Sequence, residues 1–168
     1  MSTIELFAGL ARRRGWDAWA TPRDLFERLN REFGFTLDVA ASAENALCGQ
    51  FFTEADDGLA QPWTGRVWCN PPYGRAIGEW VERAARYAFT IPGPEVPEVI
   101  VMLIPASTDT SWWHDHVHGQ ATEVRLIRGR LTFGRSRMGR APFPSAIAVY
   151  RPRVRLGGTY YTTIGRDA

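Results

Sequence analysis

The 168-residue chain is 45% hydrophobic and 23% charged, the balance of a globular protein long enough for one domain, expected over 1–168, and too short for two ordinary ones. No apolar run approaches the ~20 residues of a membrane span, the first residues lack a signal-peptide core, and two cysteines, Cys48 and Cys69, cannot build a disulfide framework or a four-thiolate zinc site. A cytoplasmic location is therefore expected. The net charge of +2 hides a segregation: residues 1–120 carry ten arginines against sixteen carboxylates, residues 121–168 ten arginines against only Glu123 and Asp167, and there is no lysine. A basic third on an acidic body points to one face meeting a polyanion, while an arginine-rich composition on an ordinary solvated surface is the plainer reading.

Residues 1–15, ending in Arg12-Arg13-Arg14-Gly15, read as a loose arm. Thr21 as N-cap, Pro22 at the first helical position and Asp24 in the first turn then open a helix. Its apolar face is Leu25, Phe26, Leu29 and Phe33, and Gly34 stops it. Residues 35–41 form a short apolar strand interrupted by Asp38, a carboxylate that needs a partner once buried. Residues 42–48 read as a short helix, 50–53 as a short strand and 56–59 as a turn. Residues 66–69 are a compact apolar strand ending at Asn70. A helix over 76–89 places Ile77, Trp80, Val81, Ala84 and Ala88 on one face.

After a proline-rich loop, residues 99–105 are apolar throughout, as a strand covered on both faces should be. Residues 108–111 cap a helix beginning at Trp112. Strands follow at 123–127, 145–150 and 159–164, with a basic glycine-rich loop over 128–143 between the first two. Strands alternate with helices to about residue 120 and then succeed one another. That order predicts an α/β domain with a mostly parallel sheet, an antiparallel C-terminal strand and helices on both faces. In such sheets ligands lie beyond the carboxyl ends of strands where the strand order reverses. Asp38, the 56–59 turn and Asn70 all fall at strand ends, so one pocket can collect them.

A stretch of the type Asn70-Pro71-Pro72-Tyr73, Asn-Pro-Pro followed by an aromatic residue, arises by chance in about one chain per thousand of this length. Pro71 holds Asn70 extended and two prolines remove two N–H donors, so the carbonyls here are not consumed in a tight turn. The corner offers a side-chain amide oxygen, an outward carbonyl and an aromatic plane. Those groups suit an exocyclic amine on a flat ring: two acceptors take its two hydrogens and Tyr73 stacks on the ring. Acceptors out of the ring plane favour the pyramidal, nucleophilic nitrogen and stabilise the positive charge that develops on it. The corner supplies no nucleophile of its own, so the electrophile is a cofactor's. A rigid strand-to-helix turn capped by Asn70 is the structural alternative. The functional reading requires the corner to sit in the pocket, neither facing bulk solvent nor filled by packed side chains.

Asn-Pro-Pro-Tyr after a strand resembles the catalytic motif of class I S-adenosylmethionine-dependent amino-methyltransferases. With Trp19-Ala20-Thr21-Pro22, residues 37–45, 51–53, 56–59 and 143–147 in this order, residues 16–152 resemble the phage and prophage DNA N-6-adenine-methyltransferase family. The resemblance implies a compact Rossmann-like methyltransferase fold and methylation of an adenine rotated out of DNA, expected to be double-stranded. It implies that Asn70 and the Pro71 carbonyl hold the adenine amine, Pro72 stiffens the turn and Tyr73 stacks on the base, with Phe143 closing from the other side. Thr21, Pro22 and Trp19 match the contacts to the methionine end of the cofactor, Asp38 and Ala40 the loop beside it. Asp57, with Asp56 next, matches the carboxylate that binds the cofactor's adenine. The chain departs from the family pattern at two places: no glycine-rich run follows Asp38, and no acidic residue ends a separate second strand, so no ribose ligand is assigned, with Glu44 and Glu54 the nearby carboxylates.

The loop arginines Arg128, Arg130, Arg135 and Arg137 are read as phosphate contacts, with base readout open to them; a merely soluble hairpin is the alternative. His114, His116 and His118 have no further ligand at metal spacing, and no metal is expected. A methyltransferase acting on another planar amine (cytosine N4, an RNA adenine, a glutamine amide) and a catalytically silent DNA-binding accessory protein are the competing functions.

Overall fold

The computed structural model describes residues 19–90, 93–134, 139–152 and 157–165. The arm over 1–15 and the loop arginines Arg135 and Arg137 lie outside these. Seven strands form one sheet: β1 (Leu37–Asp38), β2 (Gln50–Phe51), β3 (Arg66–Cys69), β4 (Val99–Pro105), β5 (Glu123–Arg128), β6 (Ser145–Tyr150) and β7 (Tyr160–Gly165), in the order β2-β1-β3-β4-β6-β5-β7. All pairings are parallel except those of β6, which runs antiparallel to both β4 and β5. The antiparallel strand is thus the penultimate one, inserted inside the sheet. Helices α1 (Arg23–Phe33), α2 (Ile77–Ala88) and α3 (Ser111–His116) complete the fold.

The helices cover both faces. On one, Phe26 of α1 meets Trp68 of β3 edge-on at 5.5 Å, and Arg125 of β5 takes Glu32 of α1 through two 2.6 Å bonds. On the other, the Tyr150 hydroxyl of β6 donates to the His116 carbonyl of α3 at 2.8 Å. Between these layers every residue of β4 and of β6 is buried, which is why both strands read as continuous apolar runs.

Helix α1 sets the geometry of everything that follows. Leu25, Phe26, Leu29 and Phe33 are buried, and side chains of this size contribute roughly 2 kcal/mol each on leaving water. Its C-terminal end is held at the start of β3, where Arg66 Nε donates to the Gly34 carbonyl at 2.6 Å. Running back along β3, the helix brings Thr21 and Pro22 to the strand's far end, beside Asn70.

Three local expectations need correction. Thr21 does not cap α1: Pro22 is the N-cap residue, with no side-chain cap bond, because the Thr21 hydroxyl is engaged by Asn70. Residues 42–48 are not a helix; Asn45 and Ala46 both turn back onto the Ser42 carbonyl. The strand expected over 35–41 is regular only at Leu37–Asp38, although single bonds from Thr36 N–H to Arg66 O, Val39 N–H to Trp68 O and Ala41 N–H to Phe52 O keep its surroundings extended.

From β1 the chain goes to β2 on one side and then crosses to β3 on the other. The order reverses there, and the crevice beyond Asp38 and Asn70 is the ligand position of an open α/β sheet.

Candidate functional site

At the end of β3, Asn70 turns its carboxamide toward the segment that precedes α1. Its Nδ2 donates to the Trp19 carbonyl at 2.7 Å and to Thr21 Oγ1 at 3.0 Å. A carbonyl only accepts, so the atom facing it must be the nitrogen. The opposite atom, Oδ1, is buried with no hydrogen-bond partner among the described residues. Buried polar atoms are almost always satisfied, and an acceptor left open costs about 1–3 kcal/mol unless a ligand completes it. The Pro71 carbonyl next to it accepts no hydrogen bond among the described residues either. The corner therefore holds two acceptors that have no partner among the described residues. It closes at Gly74, whose φ of 149° is a conformation that side chains disfavour.

Tyr73 is buried, and its hydroxyl donates to the Leu103 carbonyl of β4 at 3.3 Å. Trp19 lies over it nearly parallel, 6.2 Å away at 24°. Phe133 and Phe143 both meet these two rings edge-on at 5.1–6.0 Å. The corner thus meets one of the two requirements set by the sequence reading, lying in the crevice away from bulk solvent, and fails the other: the rings of Trp19, Phe133 and Phe143 are packed over Tyr73. Phe143 and Tyr73 touch at 74°, without the separation of about 7 Å that a ring between two stacking partners takes. Room for a base comes only when rings part. Phe133 is a member of this cluster that the sequence reading missed; the alternation of buried Leu131 and Phe133 with exposed Arg130 and Thr132 is the signal that marks it.

On the β1 side, Asp38 is 3% exposed. Its two oxygens accept from the Ala40 and Leu47 N–H groups, each at 3.3 Å. Burial pushes its pKa up to about 6, against the opposing pull of those two bonds. No cation offsets this carboxylate among the described residues, so the site has the donor chemistry to receive one. The thiols of half-buried Cys48 and buried Cys69 are pushed up, chiefly by burial and also by the Asp38 charge.

The turn at 56–58 is pressed onto the end of β1. A methyl group on Gly58 would stand 2.2 Å from the Val39 carbonyl and 2.9 Å from the Trp80 ring, and Trp63 Nε1 holds the Gly58 carbonyl at 2.8 Å. Asp57, the residue before Gly58, is exposed, with its own backbone left-handed at φ 52°. Asp56 is used differently: its carboxylate accepts from the Thr53 N–H and hydroxyl at 2.8 and 2.7 Å, bonds that lower its pKa. The Asp57 carboxylate makes no such bonds among the described residues.

The basic segment splits into two parts. Arg125 is taken up by Glu32 and Glu123, and Arg125 and Arg151 both lie over the Phe33 ring at 5.3 and 5.4 Å; these two arginines hold α1 to the sheet. Arg128, Arg130 and Arg140 are exposed. Their loop is pinned at its base by Ala141 N–H to the Leu131 carbonyl, and to the site by Gly134 N–H to the Ala20 carbonyl. The structure thus brings together Trp19, Thr21, Pro22, Asn70, Pro71, Pro72, Tyr73 and Phe143. Asp38 and Ala40 lie together at the end of β1, with the Gly58 backbone pressed against Val39 between them; Asp57 is the exposed chain neighbour of Gly58. Among the described residues no group of His, Cys, Asp and Glu could hold a metal ion, and no helix is long and apolar enough to cross a membrane.

Residues 11–148 match the family described as DNA N-6-adenine-methyltransferase (Dam). A protein of Escherichia phage T1 named DNA N-6-adenine-methyltransferase is 34% identical over 119 residues, covering 69% of this chain and 47% of its own length. The Escherichia coli (strain K12) protein YfdM is 37% identical over 65 residues, covering 34% of this chain and 71% of its own length. The chain thus spans about half the length of the phage relative.

Proposed function

The chain belongs to the DNA N-6-adenine-methyltransferase (Dam) family, and on that premise we propose that it methylates the exocyclic N6 amine of an adenine rotated out of double-stranded DNA. S-adenosylmethionine is the methyl donor and supplies, when bound, an electrophilic methyl group carried on a cationic sulfonium. The single observation that carries this reading is the open, buried Oδ1 of Asn70 beside the unused Pro71 carbonyl.

Asn70 Oδ1 and the Pro71 carbonyl each accept one N–H of the target amine. An amine held this way directs its lone pair away from the ring, and both oxygens stabilise the positive charge that grows on nitrogen. No base is needed before the attack, because the proton leaves afterwards to solvent. The Tyr73 ring gives the base its stacking surface, once the Trp19 ring has withdrawn from it, and Phe143 closes from the edge.

The residues of the β1 cluster fit the donor. The uncompensated Asp38 carboxylate suits the cationic methionine end, with Ala40, Pro22 and Trp19 around it, while the Thr21 hydroxyl is engaged by Asn70. Asp57 takes the amine of the cofactor's adenine. Arg128, Arg130, Arg135 and Arg137 contact phosphates flanking the target.

The test is transfer of labelled methyl from S-adenosylmethionine to duplex DNA, single-stranded DNA, RNA and protein in parallel, followed by digestion and identification of the modified nucleoside. N6-methyladenine from duplex DNA is expected. Label appearing as N4-methylcytosine, in RNA or in protein replaces the substrate; no label and no heat on titration with S-adenosylmethionine leaves a DNA-binding accessory protein.

A further inference from the structure

The carboxamide of Asn70 is nearly symmetric in shape, and its two orientations differ only in what faces what. With Oδ1 toward the crevice it accepts from the target amine; turned over, it would present an NH₂ to an NH₂ and repel the substrate. The choice is therefore part of the chemistry, and the residues that make it are not the ones that touch the base.

Resting on the activity proposed above, we propose that Thr21, together with the carbonyl of Trp19, is a positioning residue that locks the Asn70 carboxamide with its oxygen toward the target amine. Both hydrogens of Nδ2 are spoken for, at 2.7 Å by the Trp19 carbonyl and at 3.0 Å by Thr21 Oγ1. The turned-over amide would set Oδ1 against the Trp19 carbonyl, acceptor against acceptor, and lose both bonds at once. The opposite edge has nothing to hold it among the described residues: Oδ1 has no partner there. All of the orienting force thus comes from the Trp19–Thr21 segment, 49 and 51 residues away in the chain. This also accounts for Thr21 failing to cap α1 although a threonine stands one residue before the N-cap position. Pro22 needs no cap of its own N–H, since it has none, and the hydroxyl is committed to Asn70.

Thr21→Val removes the hydroxyl while keeping the branched shape, and Thr21→Ser restores it. Three readouts are taken for each: steady-state methylation of duplex DNA, the calorimetric dissociation constant for S-adenosylmethionine, and hydrogen exchange of the Asn70 side-chain NH₂ pair in ¹H–¹⁵N spectra, assigned by its absence from Asn70→Ala. In Thr21→Val the NH₂ pair exchanges faster and kcat falls about tenfold, the worth of one orienting hydrogen bond, while cofactor affinity stays near wild type. Thr21→Ser returns both toward wild type.

A Thr21→Val protein that loses cofactor affinity but keeps kcat and the protected NH₂ pair overturns the proposal and leaves Thr21 a cofactor contact. One with all three readouts at wild-type values overturns it too. If Thr21→Val does not fold, Thr21→Ala must show the same separation of kcat from cofactor affinity. If the wild-type protein methylates no adenine, the proposed activity falls, while the exchange measurement still decides whether Thr21 holds the amide.

Discussion

Replacing Asp38 by asparagine should make the protein without its cofactor more stable, and only above a definite pH. The carboxyl sits 3% exposed, and its pKa rises from an ordinary 3.8 to about 6. A group whose folded pKa lies above its unfolded value favours the fold fully at low pH. That contribution disappears as the pH rises through the folded value. Two units are worth about 3 kcal/mol at 1.4 kcal/mol per unit. A neutral carboxamide would avoid that cost but could accept from only one of the Ala40 and Leu47 N–H groups that now meet the carboxylate, giving back about 1–2 kcal/mol. The net gain above pH 7 is about 1–2 kcal/mol, or roughly 2–8 °C in Tm for a chain of this size. Melting curves of both proteins at pH 4 and pH 8 read this directly. Asp38→Asn should melt higher at pH 8, and no higher than wild type at pH 4. A variant that melts lower at pH 8, or that shows the same offset at both values, would refute the claim that an uncompensated buried charge is held here for a ligand.

The other expectations are narrower. Gly58→Ala drives a methyl group to 2.2 Å from the Val39 carbonyl; it should cost about 1–3 kcal/mol by thermal melting and, by lifting Asp57 off the end of β1, weaken S-adenosylmethionine in calorimetry. Tyr73→Phe loses the buried bond to the Leu103 carbonyl and should cost about 1 kcal/mol in a denaturant titration. Arg128→Ala with Arg130→Ala removes two exposed cations beside the site. Duplex affinity should fall, and the slope of log K against log salt should flatten by about 1.8, at about 0.9 per lost phosphate contact.

Much of this architecture is legible before folding is considered. The strands at 99–105 and 145–150 coincide with β4 and β6 because a strand buried on both faces leaves an uninterrupted apolar run. The apolar face of α1 is equally plain, since Leu25, Phe26, Leu29 and Phe33 repeat at helical spacing. The first strand is not: residues 35–41 look uniformly extended, yet the ladder is regular for two residues and then loosens around Asp38, whose carboxylate gathers the N–H groups of Ala40 and Leu47. The helix expected over 42–48 fails for a related reason, since the chain there curls so that Leu47 can reach Asp38.

The site divides the same way. Asn70 and its prolines announce themselves as a local, donor-poor motif. What a linear reading does not show is that the Thr21 hydroxyl serves Asn70 rather than its own helix, or that Trp19 and Phe133 roof the Tyr73 ring. Those contacts join residues far apart in the chain: α1, packed along β3, brings Thr21 to Asn70, and the loop after β5, bonded through Gly134 N–H to the Ala20 carbonyl, brings Phe133 over the ring. The basic C-terminal third is similarly mixed, because Arg125 and Arg151 bind α1 while Arg128, Arg130 and Arg140 stay exposed.

The most direct measurement compares wild type and Asn70→Ala for N6-methyladenine formed in duplex DNA, quantified by mass spectrometry of the digested product, alongside the calorimetric affinity of each for S-adenosylmethionine. Wild type should form N6-methyladenine, and the variant should lose turnover by orders of magnitude while still binding the cofactor. An alanine variant that methylates adenine at the wild-type rate would contradict the account, since the open oxygen at position 70 would then not be what holds the amine.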